Sequence, residues 1–205
     1  MKILIACEYS GIVRDAFKNK GHDAQSCDIL PTERPNWTHD RFSGVRTHNP
    51  NRGYHWKGKV EDILKENHLF DMMIAFPPCT HLAVSGARWF KNKKVEQEQA
   101  IEFFMKLVNA NIPKIAIENP IGIMSTRYRK PDQIVQPFQF GDPYKKTTCL
   151  WLKGLPKLKP TNIVEPKIIT YKDGSKFSAD YGWSSNKNRS KTYQGIADAM
   201  AEQWG

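Results

Sequence analysis

The chain has 205 residues, 40% of them hydrophobic, which suits one compact domain and leaves two full domains crowded. Lysine and arginine number 31 against 21 aspartate and glutamate, so the formal net charge is +10. A basic balance of this size favours a polyanionic partner over solubility alone. No apolar run approaches the roughly 20 residues that span a bilayer, so we expect no membrane contact.

The first residues, Met1–Ala6, are too short for a signal peptide and are typical of a first strand. The absence of an export signal leads us to expect a cytoplasmic protein. Its cysteines are spread along the chain without a C-x-x-C pair and are therefore expected to be free thiols: Cys7, Cys27, Cys79 and Cys149.

Short apolar runs alternate with helical stretches in the first part of the chain. A strand at Lys2–Cys7 is followed by a helix at Ile12–Asn19, which Gly21 ends, and by a strand at His22–Cys27. Prolines, glycines and polar residues then interrupt every regular pattern, which predicts a long irregular loop over residues 30–58.

The same alternation continues in the second part of the chain. In order, we predict a helix at Val60–Asn67, a strand at Asp71–Phe76, a helix at Val95–Ala110, strands at Lys114–Ile117 and Thr148–Leu152, and a final helix at Gln194–Gln203. A short basic segment at 156–190 has no assignable structure. Alternating strands and helices indicate an α/β fold with a mostly parallel sheet.

Several chemically capable residues follow the predicted strands, where ligands bind in parallel sheets. They are Glu8-Tyr9-Ser10-Gly11, Asp28, Pro77-Pro78-Cys79 and Glu118-Asn119-Pro120. The two prolines stiffen the chain before Cys79 and remove two backbone donors, which suits the holding of a thiol nucleophile. A buried, inert cysteine in a proline turn is an equally good interpretation of this segment alone.

Glu118 ends another apolar strand, where partial burial would raise its pKa and let it hold a proton near neutrality. A thiol with a carboxylic acid is what conjugate addition to a pyrimidine requires. Sulfur adds to C6, the acid contacts N3 and the exocyclic amine, and C5 becomes able to take a methyl group. On its own, Glu118 is better explained as a surface or helix-terminal charge.

Phe76-Pro77-Pro78-Cys79 resembles the Pro-Pro-Cys motif of cytosine-C5 DNA methyltransferases, and Glu118-Asn119-Pro120 resembles their Glu-Asn motif. The two motifs occur in the order of that family. Ala75–Leu82 and Lys145–Leu152 are also similar to small phage-type members that lack a full target-recognition domain. The resemblance implies a Rossmann-like class I methyltransferase core, catalysis by Cys79 and Glu118, and a host-cytoplasmic location if the chain is phage-encoded.

The resemblance further implies S-adenosylmethionine as the cofactor. Cys7–Arg14 matches the family's first cofactor motif, although Cys7 stands where an aspartate is expected and Val13-Arg14 replaces two glycines. By the family pattern, Asp28 would hold the ribose and Asp62 would contact the adenine amine. The cofactor-binding residues implied by the resemblance are Glu8, Tyr9, Ser10, Gly11, Asp28, Asp62 and Pro77.

The substrate implied by the resemblance is DNA, including single-stranded DNA, or another cytosine-containing nucleic acid or nucleotide. The expected substrate-binding residues are Pro78, Asn119, Lys145, Lys146 and Arg88. Lys145 and Lys146 stand in for the arginine strand of the family. Because only a short basic segment replaces the target-recognition domain, a homodimer or a partner that supplies target recognition stays open.

Two other interpretations stay open at this point. The chain is either an inactive methyltransferase-fold protein that binds nucleic acid or a nucleotide, or a thiol-dependent enzyme with another pyrimidine or one-carbon donor. His39, His48 and His55 lie nine and seven residues apart, which matches no closed zinc pattern, so we expect no metal site.

Overall fold

A computed structural model describes residues 1–35, 37–39, 46–48, 53–86, 93–170, 173–174, 176–178 and 190–205. Its strands are β1 (Lys2–Ala6), β2 (Asp23–Asp28), β3 (Trp37–His39), β4 (Arg46–His48), β5 (Tyr54–Lys57), β6 (Met72–Ala75), β7 (Lys114–Asn119), β8 (Gln133–Val135), β9 (Thr148–Lys153), β10 (Ile168–Thr170) and β11 (Lys176–Ser178). Its helices are α1 (Ile12–Asn19), α2 (Val60–Ile63), α3 (Lys94–Val108), α4 (Met124–Arg127) and α5 (Gln194–Trp204). Among these helices, none has the length and apolar character needed to cross a membrane.

Seven strands form one sheet in the order β5-β2-β1-β6-β7-β9-β8. Strand β9 pairs antiparallel with both β7 and β8, whereas the other neighbouring pairs are parallel. This strand order, with one reversed strand near the edge, is that of the Rossmann-like class I methyltransferase core. The predicted fold class is therefore confirmed.

The sheet is buried on both faces because its central strands are apolar at successive positions. In β1, Ile3 and Ile5 belong to the core cluster beneath α1 and α5, whereas Leu4 and Ala6 belong to the cluster beneath α3. Such continuous apolar runs are typical of parallel strands covered by helices on both sides. The carboxyl ends of β1, β2, β6 and β7 consequently lie at one edge of a rigid platform.

The prediction of an irregular loop over residues 30–58 was wrong in two places: β3 and β4 pair antiparallel within it, and at its end β5 forms the edge of the main sheet. Its four residues pair parallel with β2, and Cys27 lies opposite Trp56. Tyr54 and Trp56 are about half exposed. The run Tyr54-His55-Trp56-Lys57 alternates between aromatic and polar residues, but four residues are too few to distinguish a strand from a loop.

Other element boundaries also differ from the prediction. The helix predicted at Val60–Asn67 is a single α-turn, α2, continued by a 3₁₀ helix at Leu64–Leu69. Strand β8 and helix α4 were not predicted, and β10 pairs with β11 inside the segment that had no assignment. These elements are three or four residues long, too short to show a hydrophobic period.

Arg14 is fully buried and joins α1 to two neighbouring segments. Its Nε donates to Asp15 Oδ1 at 2.8 Å, and Nη1 donates to Ser26 Oγ at 3.2 Å. A third bond runs from Nη2 to the backbone carbonyl of Arg34 at 2.5 Å. A buried guanidinium with this many partners fixes β2 and the chain after it against the start of α1.

We predict that Arg14→Met lowers the free energy of unfolding by about 3–5 kcal/mol, because it leaves the buried Asp15 carboxylate without its closest cation. The measurement is equilibrium denaturation in urea. Arg127→Met is the matched control. Because Arg127 pairs with Glu98 at the surface, this variant should lose much less free energy of unfolding. Equal losses in the two variants would contradict a structural role for the Arg14 network.

Candidate active site

A cavity of about 570 Å³ opens at the carboxyl edge of β1, β2 and β6. Its lining includes six predicted site residues: Glu8, Tyr9, Ser10, Asp28, Pro78 and Cys79. Gly11, Asp62, Pro77 and Glu118 do not belong to the lining. The structure thus gathers most of the predicted cofactor residues and the predicted nucleophile around one space.

The turn from β1 into α1 is organised by the carboxylate of Glu8. Its Oε1 accepts hydrogen bonds from the Val13 amide at 2.7 Å and from Ser10 Oγ at 3.1 Å, and its Oε2 accepts from the Arg14 amide at 3.3 Å. Burial raises the pKa of Glu8, and the two amide bonds oppose that rise. The carboxylate therefore caps α1, so much of its hydrogen-bonding capacity is already used within the protein.

Two residues give this turn its backbone shape. Gly11 has a φ of 73°, and an added Cβ would lie 2.6 Å from Arg14 Nη2. Only glycine therefore fits this position without strain. Cys7 has a φ of 59°, which is uncommon for a residue with a side chain. Gly11 thus contributes to the cavity through the path of the chain.

Asp28 and its neighbours form the far end of the cavity. Asp28 Oδ1 accepts a hydrogen bond from the Leu30 amide at 2.8 Å, and burial raises the pKa of the Asp28 carboxyl. Ile29 and Leu30 line the cavity while remaining 68% and 48% exposed, so they present an apolar wall to whatever enters. Glu61 also lines it, in the place where Asp62 was predicted.

Asp62 points away from this space into an exposed ion pair with Lys65, whose Nζ lies 2.8 Å from Asp62 Oδ1. The sequence could not separate two adjacent acids on one short helix. The structure separates them because α2 is a single turn, in which consecutive residues face different directions.

The loops that follow β6 and β7 are joined to each other. Asn119 is 2% exposed, and its Nδ2 donates to the Pro77 carbonyl at 2.8 Å. Ala83 and Gly122 form an antiparallel bridge, and a side chain at Gly122 would collide with the Leu82 carbonyl. Asn119, a predicted substrate contact, thus uses the Nδ2 donor of its amide to fix the loop that carries Cys79.

Cys79 is exposed, in contrast to the other three cysteines. It lines the main cavity and also a neighbouring cavity of about 320 Å³. Burial raises the pKa of Cys27 to about 12 and that of Cys149 to about 11, and it raises the pKa of Cys7 as well. Position therefore distinguishes Cys79 as the accessible thiol.

Glu118 lies in a separate small space behind Phe76, with Lys146, Thr148 and Tyr193 around it. Burial raises the pKa of the Glu118 carboxyl, and the charge of Lys146 partly opposes this effect. Phe76, Ser190 and Thr192 line both this space and the main cavity, so they lie between the two. Lys145 is exposed and borders neither space, whereas Arg88 falls outside the described residues.

Residues 190–193, here named the strap, are held across the carboxyl edge by three contacts. Ser190 Oγ and Tyr9 Oη lie 2.9 Å apart, Lys191 Nζ lies 2.8 Å from Glu33 Oε2, and Lys146 Nζ lies 3.4 Å from the Lys191 carbonyl. The strap therefore lies against both the predicted cofactor residue Tyr9 and the small space around Glu118.

His55 uses both ring nitrogens inside the protein. Its Nδ1 lies 2.9 Å from Ser26 Oγ and its Nε2 lies 3.0 Å from the Leu30 carbonyl. Burial lowers the pKa of His55, which favours the neutral ring with Nε2 as the donor. The side chains of His39 and His48 fall outside what the structure describes.

Neither a family model nor a curated protein matches this chain. Among solved structures, one match is the crystal structure of a chain assigned as a DNA modification methyltransferase encoded within a prophage, from E. coli. That chain is 18% identical with a TM-score of 0.48, and the match covers 80% of this chain. The match covers 52% of the prophage-encoded chain, so the present chain spans about half of that chain's length.

The raised pKa of Glu118 predicts a pH dependence of stability. The folded protein holds this proton more tightly than the unfolded chain, so the contribution of Glu118 is lost as pH rises from the ordinary glutamate pKa through the folded value. We expect Glu118→Gln to be increasingly more stable than the wild type from pH 5 to pH 8, as measured by denaturation. Exposed Glu102→Gln serves as the control. A stability difference between Glu118→Gln and the wild type that does not change with pH would contradict the burial of Glu118.

We also predict that Asn119→Ala lowers the free energy of unfolding by about 1–3 kcal/mol, because it leaves the buried Pro77 carbonyl without a donor. Exposed Asn111→Ala serves as the control. Alkylation of Cys79, followed by peptide mass spectrometry, should change in rate in Asn119→Ala alone. An unchanged rate together with unchanged stability would show that this bond does not hold the loop.

Proposed function

We propose that this protein is an S-adenosylmethionine-dependent methyltransferase that modifies C5 of cytosine, in single-stranded DNA, another nucleic acid or a cytosine nucleotide. The observation that carries the proposal is the position of Cys79. It is the exposed thiol at the end of β6, and it borders the cavity that Tyr9 and Asp28 line in a methyltransferase fold.

The chemistry of the cavity suits the proposed cofactor. Asp28 and Glu61 offer carboxylates to ribose hydroxyls and an adenine amine, and Ile29, Leu30 and Phe103 offer apolar surface to a purine. With Glu8, the cavity lining has three acidic side chains, and these favour a sulfonium cation over an anion. When bound, S-adenosylmethionine supplies an electrophilic methyl group.

In the proposed reaction, the Cys79 thiolate adds to C6 of cytosine, and Glu118 gives its proton to N3. The electron pair released at C5 would take the methyl group, as the bond between the methyl carbon and the sulfonium sulfur breaks and its electrons stay on sulfur. A base then removes the C5 proton, N3 returns its proton, and the C6–sulfur bond breaks to restore Cys79 and the double bond. Burial favours a protonated Glu118 for the first step.

For this reaction, the base must reach Glu118 as well as Cys79. We therefore propose that Ser190 and Thr192 withdraw when substrate binds, with the Lys191–Glu33 ion pair as the contact that gives way. Lys146 would remain beside Glu118 and contact the base or a phosphate as a point charge. Asn119 is proposed as a positioning residue for the Cys79 loop.

One observation favours a second candidate, a fold relative that binds a nucleotide or nucleic acid without turnover. The Glu8 carboxylate and the Arg14 guanidinium occupy the first turn of α1, where the family pattern has glycines. The exposed Cys79 counts against this candidate, because binding alone does not need an accessible nucleophile.

The test is incubation with methyl-labelled S-adenosylmethionine and, separately, single-stranded DNA, duplex DNA, RNA, dCMP and dUMP. We expect label in a cytosine-containing substrate with the wild type, and a loss of at least about 100-fold with Cys79→Ser, because a serine hydroxyl is a far weaker nucleophile at neutral pH. Cys149→Ser is the matched control and should retain activity, since that thiol is buried.

Calorimetry with S-adenosylmethionine separates the candidates. Cofactor binding without label in any substrate would favour the non-catalytic candidate. Label in dUMP alone would show that the substrate base is uracil, not cytosine. Absence of both binding and label would overturn the enzyme proposal.

A further inference from the structure

The second cavity, of about 320 Å³, adjoins the main one at Cys79 and Thr80, which line both, and it has no role in the reaction described so far. Its lining consists of Cys79, Thr80, His81, Ala83, Ser85, Gly86 and Lys93. Small residues leave it open, and hydroxyl, imidazole and ammonium groups supply hydrogen-bond donors. Since Cys79 belongs to both cavities, a ligand here would lie directly beside the nucleophile.

The two cavities differ in charge. Glu8, Asp28 and Glu61 line the main cavity, where Lys59 is the one cation among the described lining residues. The second cavity has Lys93, and no carboxyl group occurs among the described residues that line it. A dianionic phosphate would therefore be repelled on one side of Cys79 and attracted on the other.

The second cavity is also held in place rather than formed by a loose loop. The carbonyl of His81 accepts a hydrogen bond at 3.1 Å from Gln97 Nε2, and Gln97 is only 8% exposed on α3. The Leu82 and Ala83 amides donate to the Cys79 carbonyl at 3.0 Å and 2.9 Å. The wall that carries Cys79, Thr80 and His81 is thus fixed to the first turns of α3, which begins next to Lys93.

We propose that this second cavity binds the phosphate group beside the target cytosine, with Lys93 as its cation and Thr80, His81 and Ser85 as hydrogen-bond donors. The inference rests on the proposed function, because it assumes that a cytosine nucleotide reaches Cys79. Substrate then approaches Cys79 from the Lys93 side, and the methyl donor from the Asp28 side. Either a phosphodiester of a nucleic acid or the phosphate of a nucleotide supplies the same chemistry.

The first experiment measures alkylation of Cys79 by iodoacetamide, read by peptide mass spectrometry, with dCMP or deoxycytidine as the protecting ligand. We expect dCMP to protect the wild-type thiol at about five-fold lower concentration than deoxycytidine. One close charge pair in contact with water raises the affinity by about that factor. In Lys93→Gln this advantage should disappear, and Lys93→Arg should keep it. Lys94→Gln, an exposed neighbour outside the cavity lining, is the control.

The second experiment measures binding of a fluorescent single-stranded DNA over a range of salt concentrations. Lys93→Gln should reduce the slope of log K against log salt by about 0.7, the value for one lost phosphate contact on a single strand. Lys94→Gln should leave it unchanged. If Lys93→Gln has an effect with dCMP alone, the bound phosphate belongs to a free nucleotide. If it has an effect with the oligonucleotide alone, the bound phosphate belongs to a nucleic acid. Either result supports a phosphate site in the second cavity.

Equal behaviour of Lys93→Gln and Lys94→Gln in both experiments would overturn the inference. Methyl transfer by the wild type under that result would leave the proposed reaction intact and remove only the phosphate site. Conversely, a Lys93-specific effect on binding without methyl transfer would keep the phosphate site and count against the reaction.

Discussion

The hydrogen bond from Asn119 to the Pro77 carbonyl joins the two strand ends on which the site depends. Parallel strands bring β6 and β7 side by side, but the two prolines deprive the loop after β6 of backbone donors. A buried amide from the next strand replaces part of that bonding. Cys79 is thereby presented at a fixed height above the sheet, with Glu118 one residue before the side chain that holds it.

The two predicted catalytic groups occupy different environments as a result. Cys79 lines two open cavities, whereas Glu118 is enclosed behind Phe76 and the strap. In the proposed reaction, exposure suits the thiol that meets an incoming ring, and burial suits the acid that keeps its proton near neutrality. The enclosure of Glu118 depends in part on the strap, which lies more than 70 residues further along the chain, so no local pattern around either motif records it.

Charge gives the site a direction. Acidic residues follow β1 and β2 and line one cavity at Cys79, whereas Lys93, directly before α3, lines the other. In the proposed reaction, a cationic methyl donor would be drawn to the first cavity and an anionic nucleotide to the second. The net charge of +10 alone suggested a polyanionic partner, but it contained no information about which side of the nucleophile such a partner would approach.

The sequence by itself determined the α/β fold class, the extent of α1, and the placement of Glu8, Tyr9, Asp28 and Cys79 at one edge, because buried strands and their polar ends leave a strong local pattern. Only the tertiary structure decided that Glu61 replaces Asp62 in the lining, that Asn119 holds a loop, and that Arg14 is a buried anchor. It also revealed β5 and the strap, whose positions depend on partners far away in the chain. Contacts of that kind arise when distant segments pack together, so no periodicity or short motif records them.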